Sequence, residues 1–274
     1  MTAGGSVVVR RQLGIKLRKL RLGAGKTFAD VAVTGVASRA KLDRIEAGRV
    51  PVKLADVWAL CRLYGADDAT TDQLAQMAPG TQVDDWWEQY AEGVVREWIG
   101  LYVGLEAAAS RIRWFDPELV PGLLQTPEYA ALVIGADDPR KSPEAVAQRV
   151  RFRMERQRTV RETEPTPTMT FIVTETALRF GPSDVLEPQI DRLRALSSGP
   201  HVDVLVLPFS ARTYPRRGRF TLLDFDNEDD PSLVYVEVPK GARYFDRPAD
   251  LEEYEYVFDL IARKSIPIKE WRRE

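Results

Sequence analysis

Apolar residues in the first eighty positions recur at the spacing of α-helices. Between Arg10 and Leu22, the residues Leu13, Leu17 and Leu20 fall at i, i+4 and i+7, which places them on one stripe of a helix. The opposite face of this helix is expected to carry Arg11, Lys16, Arg18, Lys19 and Arg21. Similar patterns predict four more short helices, at about residues 28–34, 39–46, 53–64 and 71–77. We therefore expect an all-α, five-helix bundle at the N-terminus.

Capping residues mark the start of the second predicted helix. Thr27 precedes it and has Asp30 three positions later, which is the arrangement of a capping box. We expect Val31 and the small Ala32 of this helix to face inward.

The third predicted helix follows a short break at residues 35–37. Ser38 is a favourable N-cap, and Leu42 and Ile45 are spaced to face the bundle core. Gly48 is expected to end the helix in a left-handed conformation. The outer side would then show Arg39, Ala40, Lys41, Asp43 and Arg44.

The pattern changes beyond Pro79-Gly80, and we place a domain boundary there, with one domain at 1–78 and another at 79–274. Residues 83–113 predict one long helix or two shorter ones. One further helix is predicted to start at Thr126-Pro127. Three more are predicted at residues 143–160, 184–197 and 251–264. Strands are predicted at 168–174, 202–207, 220–225 and 233–238. This mixture predicts an α+β C-terminal domain with a small mixed or antiparallel sheet.

The charge is distributed unevenly along the chain. Residues 1–65 hold 13 Lys and Arg against 4 Asp and Glu, a balance of +9, whereas residues 66–274 hold 26 against 37, a balance of −11. A short basic unit joined to a larger acidic one indicates that the first part meets a polyanion and the second does not.

Several classes of protein are disfavoured by the residues available. A single cysteine, Cys61, excludes an internal disulfide framework and a multi-cysteine zinc site, and His201 is the only histidine. No Walker or G-x-G-x-x-G motif is present. We therefore expect neither an enzyme nor a bound cofactor or metal. The chain also lacks a signal-peptide pattern and an apolar run that could span a bilayer, so we expect a cytoplasmic protein, associated with the nucleoid when bound to DNA.

The stretch GKTFADVAVTGVASRAKLDRIEAGR (Gly25–Arg49) resembles the phage-repressor-type helix-turn-helix of the xenobiotic-response-element regulators, most specifically over Ser38–Arg49. The resemblance implies that double-stranded DNA is the partner and that helix 39–46 enters the major groove. Arg39, Ala40 and Arg44 would then face base edges, and Lys41, Arg49 and Lys53 would face phosphates. With the caps, the candidate DNA-binding residues are Thr27, Ser38, Arg39, Ala40, Lys41, Arg44, Arg49 and Lys53.

Two positions depart from that family's pattern. Phe28 stands where the family usually has a glutamine that contacts the DNA backbone, and a phenylalanine side chain cannot make that hydrogen bond. Val36 stands where a turn residue is common. Because a β-branched residue resists positive φ, we expect Gly35 to make the turn or the chain to take a different path.

The segments VPGLLQTPEYA, RMERQRTV, VTETALRF, VLVLPFSA, RGRFTLLDF and LVYVEV, in this order, resemble the C-terminal domain of a large actinobacterial regulator family that includes WhiJ-like and antitoxin-like regulators. The resemblance implies a small protein partner encoded nearby. A homodimer is expected from the helix-turn-helix class.

Three functions stay open at this point. The first is a transcriptional regulator, and the second is an antitoxin-like module that sequesters a small partner protein. The third is control by an unidentified small-molecule effector that binds a cluster of aromatic residues. Such a cluster more often packs in the core of a protein than lines a ligand site. The cluster comprises Trp86, Trp87, Tyr90, Trp98, Tyr102 and Trp114. The arginines of helix 143–160 are interpreted as a solvated basic face that is paired with acidic neighbours.

Overall fold

The computed structural model describes residues 5–90, 94, 99–226, 230–239 and 241–273. The chain divides into two compact units. Of the described residues, the first unit takes 5–89, 100–108 and Asp230, and the second takes the others.

The first unit contains the five helices expected from the sequence. They are α1 (Gly5–Gly23), α2 (Phe28–Val33), α3 (Arg39–Glu46), α4 (Leu54–Tyr64) and α5 (Asp68–Met77). Short 3₁₀ turns follow at Pro79–Gln82 and Trp86–Gln89, and then α6 (Ile99–Ala108), of which residues 100–108 belong to this unit. Helix α1 begins five residues earlier than its apolar stripe suggested, and Val7 is buried there. The shared core includes Leu13, Leu17, Val31, Leu42, Ile45 and Leu60.

Three side chains of this unit face the other way from the sequence prediction. Ala32 is exposed, because α2 is short and turns only Val31 into the core. Arg11 and Arg21 are buried rather than solvated. Each has a buried acidic partner that is distant in sequence, Asp230 for Arg11 and Glu46 for Arg21, and helical spacing gives no sign of such a partner.

Two glycines let α1 approach α3 closely. A Cβ on Gly14 would lie 2.4 Å from the carbonyl oxygen of Ile45, and one on Gly48 would lie 2.8 Å from the Cα of Arg11. Gly48 also has φ +67°, as expected for the left-handed stop of α3. The backbone of α1 therefore packs directly on the C-terminal end of α3.

The second unit has the α+β fold expected from the sequence. Its strands are β1 (Arg111–Asp116), β2 (Thr168–Thr174), β3 (Val202–Leu207), β4 (Phe220–Asp224), β5 (Leu233–Val238), β6 (Gly241–Phe245) and β7 (Ile266–Pro267). Its helices are α7 (Pro127–Asp137), α8 (Pro143–Glu162), α9 (Ser183–Leu196) and α10 (Pro248–Ala262). Among the described residues these strands form one mixed sheet in the order β6-β5-β4-β1-β2-β3-β7.

Strand β1 sits at the centre of the sheet. It pairs in parallel with β2 and antiparallel with β4, so that Phe115 lies opposite Phe220. The side of the sheet that carries Phe115 packs on Val257, Phe258 and Ile261 of α10. The residues that alternate with it, Trp114 and Asp116, face the opposite side, where Arg156 of α8 lies over the Trp114 ring.

The prediction of one or two helices over 83–113 is wrong at its end, since residues 111–113 begin β1. The segment 83–113 also includes residues 91–93 and 95–98, which lie outside the described residues. Ile112 and Phe115 are buried on opposite faces of the sheet. Because the partner strands of β1 are distant in sequence, no local signal in the chain outweighs the helical spacing of its apolar residues. No helix of the described residues is long and apolar enough to cross a membrane.

Candidate nucleic-acid interface

The candidate interface is built on the turn between α2 and α3. The hydroxyl of Thr27 accepts the amide of Asp30 at 3.2 Å, and the Asp30 carboxylate accepts the Thr27 amide at 2.7 Å, which completes the capping box. Gly35 takes φ +75° and makes the turn, so Val36 needs no positive φ. Ser38 then caps α3 by accepting the amide of Lys41 at 3.2 Å. The start of α3 is thus set by hydrogen bonds within the chain.

The three residues expected to face base edges lie together on the solvent-facing side of α3. Arg39, Ala40 and Arg44 are exposed, whereas Leu42 and Ile45 are fully buried. Within the part of the chain that the structure describes, Arg39 makes no hydrogen bond or ion pair, and Arg44 only donates from Nε to the carbonyl of Ala40 at 3.3 Å. Neither guanidinium group is held in an ion pair with a described residue.

The candidate phosphate-contacting residues differ in their surroundings. Arg49 and Lys53 are exposed, Arg49 just beyond the end of α3 and Lys53 at the N-cap of α4. The ammonium group of Lys41 instead lies 2.8 Å from the carboxylate of Asp56, in the first turn of α4. Lys41 therefore ties α3 to α4 and brings less net positive charge to the surface than its sequence position suggests.

A buried ion pair holds α3 against α1. Arg21 donates from Nε and Nη2 to the two carboxylate oxygens of Glu46, at 2.6 and 2.8 Å. These bonds raise the pKa of the guanidinium group above its ordinary value. Arg21 also donates to the carbonyl of Lys26 at 2.7 Å and lies 4.3 Å from the ring centroid of Phe28. Phe28, where a glutamine is usual, therefore serves as an aromatic support for Arg21.

The sequence analysis missed Arg21, Glu46 and Phe28 as residues that position the interface. One signal was available for Glu46: it lies four residues after Leu42 and next to Ile45, on the inner side of α3. An acidic residue on that side requires a cationic partner when the helix packs, because an unpaired buried carboxylate is strongly unfavourable.

The aromatic residues considered as a ligand site are divided between the two units. Trp87 and Tyr102 are buried in the first unit, whereas Tyr90 and Trp114 belong to the second, and Trp98 lies outside the described residues. The arginines of α8 are also divided: Arg151 and Arg158 are exposed, but Arg149, Arg153 and Arg156 line a cavity. The interpretation of α8 as a solvated basic face is therefore wrong for Arg156, which is buried.

Comparison with known protein families assigns both parts of the chain. Residues 12–74 match a family described as a helix-turn-helix domain, which covers α2, α3 and the ion pair between Arg21 and Glu46. Residues 99–273 match a family described as a domain of unknown function (DUF5753). No curated protein and no solved structure matches the chain significantly. The helix-turn-helix domain indicates DNA binding. Because the second match spans more than half of the 274 residues, the chain belongs to the DUF5753 family and carries a helix-turn-helix domain ahead of that region.

Proposed function

We propose that this protein is a sequence-specific transcriptional regulator that inserts α3 into the major groove of DNA. The observation that carries the proposal is the arrangement of Arg39 and Arg44, which are exposed on the outer side of a helix whose inner side is fixed by Leu42, Ile45 and the ion pair of Glu46. A rigid helix with cationic side chains on its outer surface is the element that reads major-groove base edges.

The two arginines supply the chemistry for reading bases. A guanidinium group can donate two parallel hydrogen bonds to O6 and N7 of guanine, and the methyl group of Ala40 can pack on that of thymine. Such contacts discriminate between bases because the wrong base leaves donors unmatched.

The remaining candidates contribute position and affinity. Arg49 and Lys53 are proposed to contact phosphates, and their contribution should fall as salt rises because binding releases condensed counterions. Thr27 and Ser38 add capped helix starts close to the DNA backbone. The balance of +9 over residues 1–65 gives this part of the chain a general attraction to DNA.

The C-terminal region, residues 79–274 in the proposed domain division, is assigned a regulatory role. Residues 66–274 carry a balance of −11, which disfavours contact with DNA and leaves this region to bind another ligand. The resemblance to antitoxin-like regulators supports a small protein as one such ligand, and the helix-turn-helix class supports a homodimer that reads two half-sites about 34–36 Å apart. Binding of the small protein and of DNA by the homodimer would both take place in the cytoplasm, where the protein would associate with the nucleoid.

The test begins with selection of DNA from a random double-stranded library by the full-length protein. Arg39→Ala and Arg44→Ala should each weaken binding to the selected site by about 1–3 kcal/mol and relax the preference at one base position. Arg62→Ala, which removes an exposed arginine from α4, is the matched control and should bind like the parent.

A salt titration separates the two kinds of contact. Arg49→Ala and Lys53→Ala should weaken binding to all sequences alike and lower the slope of log K against log salt by about 1 each. If selection enriches no sequence, or if the Arg39 and Arg44 variants bind as tightly and selectively as the Arg62 control, α3 is not the recognition helix.

A further inference from the structure

The second unit contains a cavity of about 610 Å³ at the carboxyl end of β1. Its described lining residues all belong to this unit, and they include Trp114 and Asp116 at the end of β1. Strand β1 runs parallel to β2, and crevices at the carboxyl ends of parallel strands are the usual ligand sites of open sheets. The volume lies in the range of cavities that hold small organic molecules.

Much of the cavity wall is aromatic or aliphatic. Leu132, Val133 and Ile134 of α7 line it, together with Trp114 of β1. Phe180 also lines the cavity, yet 85% of its surface is exposed to solvent. A large ring that remains this exposed gains apolar contact when a ligand covers it, so the wall favours a ligand with an aromatic or aliphatic body.

The charged side chains of the cavity wall balance one another in number. Four are basic and four are acidic, so their formal charges sum to zero: Arg149, Arg153, Arg156 and Arg219 against Asp116, Glu118, Asp137 and Glu237. Arg219 and Glu237 lie 3.5 Å apart and form an ion pair within the wall. A wall without net charge does not favour the transfer of an ion from water, because the ion loses its hydration without gaining a net counter-charge. The cavity is therefore suited to an uncharged ligand.

One carboxylate oxygen of the wall accepts no hydrogen bond from a described residue. Asp116 is buried, with 3% of its surface exposed, and its Oδ1 atom accepts the backbone amides of Glu118 and Leu119, both at 3.0 Å. Its Oδ2 atom has no donor among the described residues, and Arg219 acts on Asp116 through its charge alone. Because Asp116 lines the cavity, Oδ2 is the oxygen that a ligand can reach.

The two amides compensate the burial of this carboxylate only in part. Burial raises the pKa of Asp116 to about 6, although both amides bind Oδ1. A buried acceptor without a donor is unfavourable, and a hydrogen bond to a charged acceptor is stronger than one between neutral groups. A ligand that donates an N–H or O–H to Oδ2 would therefore complete the hydrogen bonds of Asp116.

Buried glutamines hold the loop that follows Asp116 in one conformation. Gln157 donates to the carbonyls of Gly122 and Gln125 at 2.8 and 2.9 Å, and Gln125 donates to the carbonyl of Val120 at 2.7 Å. A loop fixed in this way needs little rearrangement when a ligand enters, which favours affinity.

We propose that this cavity binds a small uncharged molecule with an aromatic or branched apolar body and an N–H or O–H donor, the donor on Oδ2 of Asp116 and the body against Trp114 and Phe180. The donor selects among apolar molecules, because a ligand without it leaves Oδ2 unsatisfied. The inference concerns the second unit alone and does not depend on DNA binding by α3.

A pair of uncharged fluorescent probes that differ in one ring position tests the proposal. 2-Phenylindole has an aromatic body and one N–H donor, and 2-phenylbenzofuran has the same shape with a ring oxygen in place of the N–H. Titration of the full-length protein at about pH 8, where Asp116 is ionised, should show one saturable site for 2-phenylindole. Its dissociation constant should be at least about tenfold lower than that of 2-phenylbenzofuran, as expected from one hydrogen bond to a carboxylate.

Substitutions in the cavity wall assign the site. Asp116→Asn keeps an oxygen for the two backbone amides and replaces Oδ2 by a nitrogen that donates. It should weaken 2-phenylindole binding about tenfold and leave 2-phenylbenzofuran binding within about twofold. Asp203→Asn removes an exposed carboxylate from β3 and should change neither. Val133→Phe narrows the cavity from a half-buried wall position and should weaken both probes.

Melting temperatures provide an independent readout, and circular dichroism identifies any variant that fails to fold. 2-Phenylindole should raise the melting temperature of the parent and of Asp203→Asn, and should raise that of folded Asp116→Asn less.

Three results would overturn the proposal. The first is the absence of saturable 2-phenylindole binding, and the second is equal affinity of the parent for the two probes. The third is a preference for 2-phenylindole that persists in folded Asp116→Asn, or binding of both probes that Val133→Phe leaves unaltered. Either form of the third result would place the probe on another part of the protein.

Discussion

The carboxylate of Glu46 accepts two hydrogen bonds from the guanidinium group of Arg21, and both side chains are almost fully buried, with 4% and 6% of their surfaces exposed. The pair joins the end of α1 to the end of α3. Since Arg21 also holds the carbonyl of Lys26 ahead of α2, one side chain connects the three segments that frame the turn.

Removal of one partner of this pair should destabilise the first unit. Glu46→Gln or Arg21→Met leaves the other charge buried without its partner, and we expect the free energy of unfolding to fall by about 3 kcal/mol in urea titrations. The double variant Arg21→Met/Glu46→Met should recover much of that loss, because it leaves no uncompensated charge. Asp43→Asn, on the exposed side of α3, is the control and should change stability little. Single variants as stable as this control would show that the pair contributes nothing.

Two identical glycine substitutions should have opposite effects on stability. Gly14→Ala places a Cβ against the carbonyl oxygens of Ile45 and Glu46, at 2.4 and 2.9 Å, and should cost about 2 kcal/mol because the backbones must separate. Gly135→Ala, in α7, meets nothing within 4 Å and should stabilise by about 0.5–1 kcal/mol through helix propensity. The melting temperature should therefore fall in Gly14→Ala and rise in Gly135→Ala. A stabilising Gly14→Ala would be inconsistent with the close approach of α1 to α3.

The hydroxyl group of Tyr64 is buried in the first unit and has no hydrogen-bond partner among the described residues. Burial raises the pKa of Tyr64, so the group stays neutral. Tyr64→Phe removes an unsatisfied polar group without changing the ring, and it should leave stability unchanged or raise it by about 1 kcal/mol. Tyr64→Ala removes the packing as well and should cost about 3–5 kcal/mol. A loss of stability in Tyr64→Phe, measured by chemical unfolding, would reveal a partner for the hydroxyl.

Gln189 satisfies two backbone groups at the start of α7. Its side chain is fully buried, accepts the amide of Thr126 at 2.7 Å and donates to the carbonyl of Leu124 at 2.9 Å. Gln189→Leu should lower the free energy of unfolding by about 2 kcal/mol, because it leaves the Thr126 amide unsatisfied in the interior. Gln73→Leu on the exposed side of α5 is the matched substitution and should have little effect. Hydrogen exchange of the Thr126 amide should accelerate only in the Gln189 variant.

Asp116 should make the second unit less stable as the pH rises through mildly acidic values. Burial raises the pKa of Asp116 from 3.8 to about 6, although amide hydrogen bonds and the charge of Arg219 act in the other direction. The folded state therefore holds the proton more tightly than the unfolded state, and stability should decline between about pH 4 and pH 6. Asp116→Asn can still accept the two backbone amides. It should remove this decline and add on the order of 2 kcal/mol at pH 7. Parallel pH profiles of parent and variant from urea unfolding would contradict the assignment.

The sequence by itself determined the helix-turn-helix region. Caps such as Thr27 and Ser38, the turn at Gly35 and the stop at Gly48 act within a few residues, so their effects follow from local order along the chain. The apolar spacing of Leu42 and Ile45 also sets which side of α3 faces outward, and hence the exposure of Arg39 and Arg44. The overall α+β class of the second unit follows from the same kind of short-range pattern.

Only the tertiary structure decided features that depend on residues far apart in the chain. Arg11 and Arg21 look like solvated charges in the sequence, but packing buries them against Asp230 and Glu46. Strand β1 forms because β2 and β4, more than 50 residues away, supply hydrogen-bonding edges on both sides. The cavity brings residues of α7, α8, β1 and β5 together. Spacing along one helix can show which residues share a side, but the element that faces that side is determined by the packing of the whole unit.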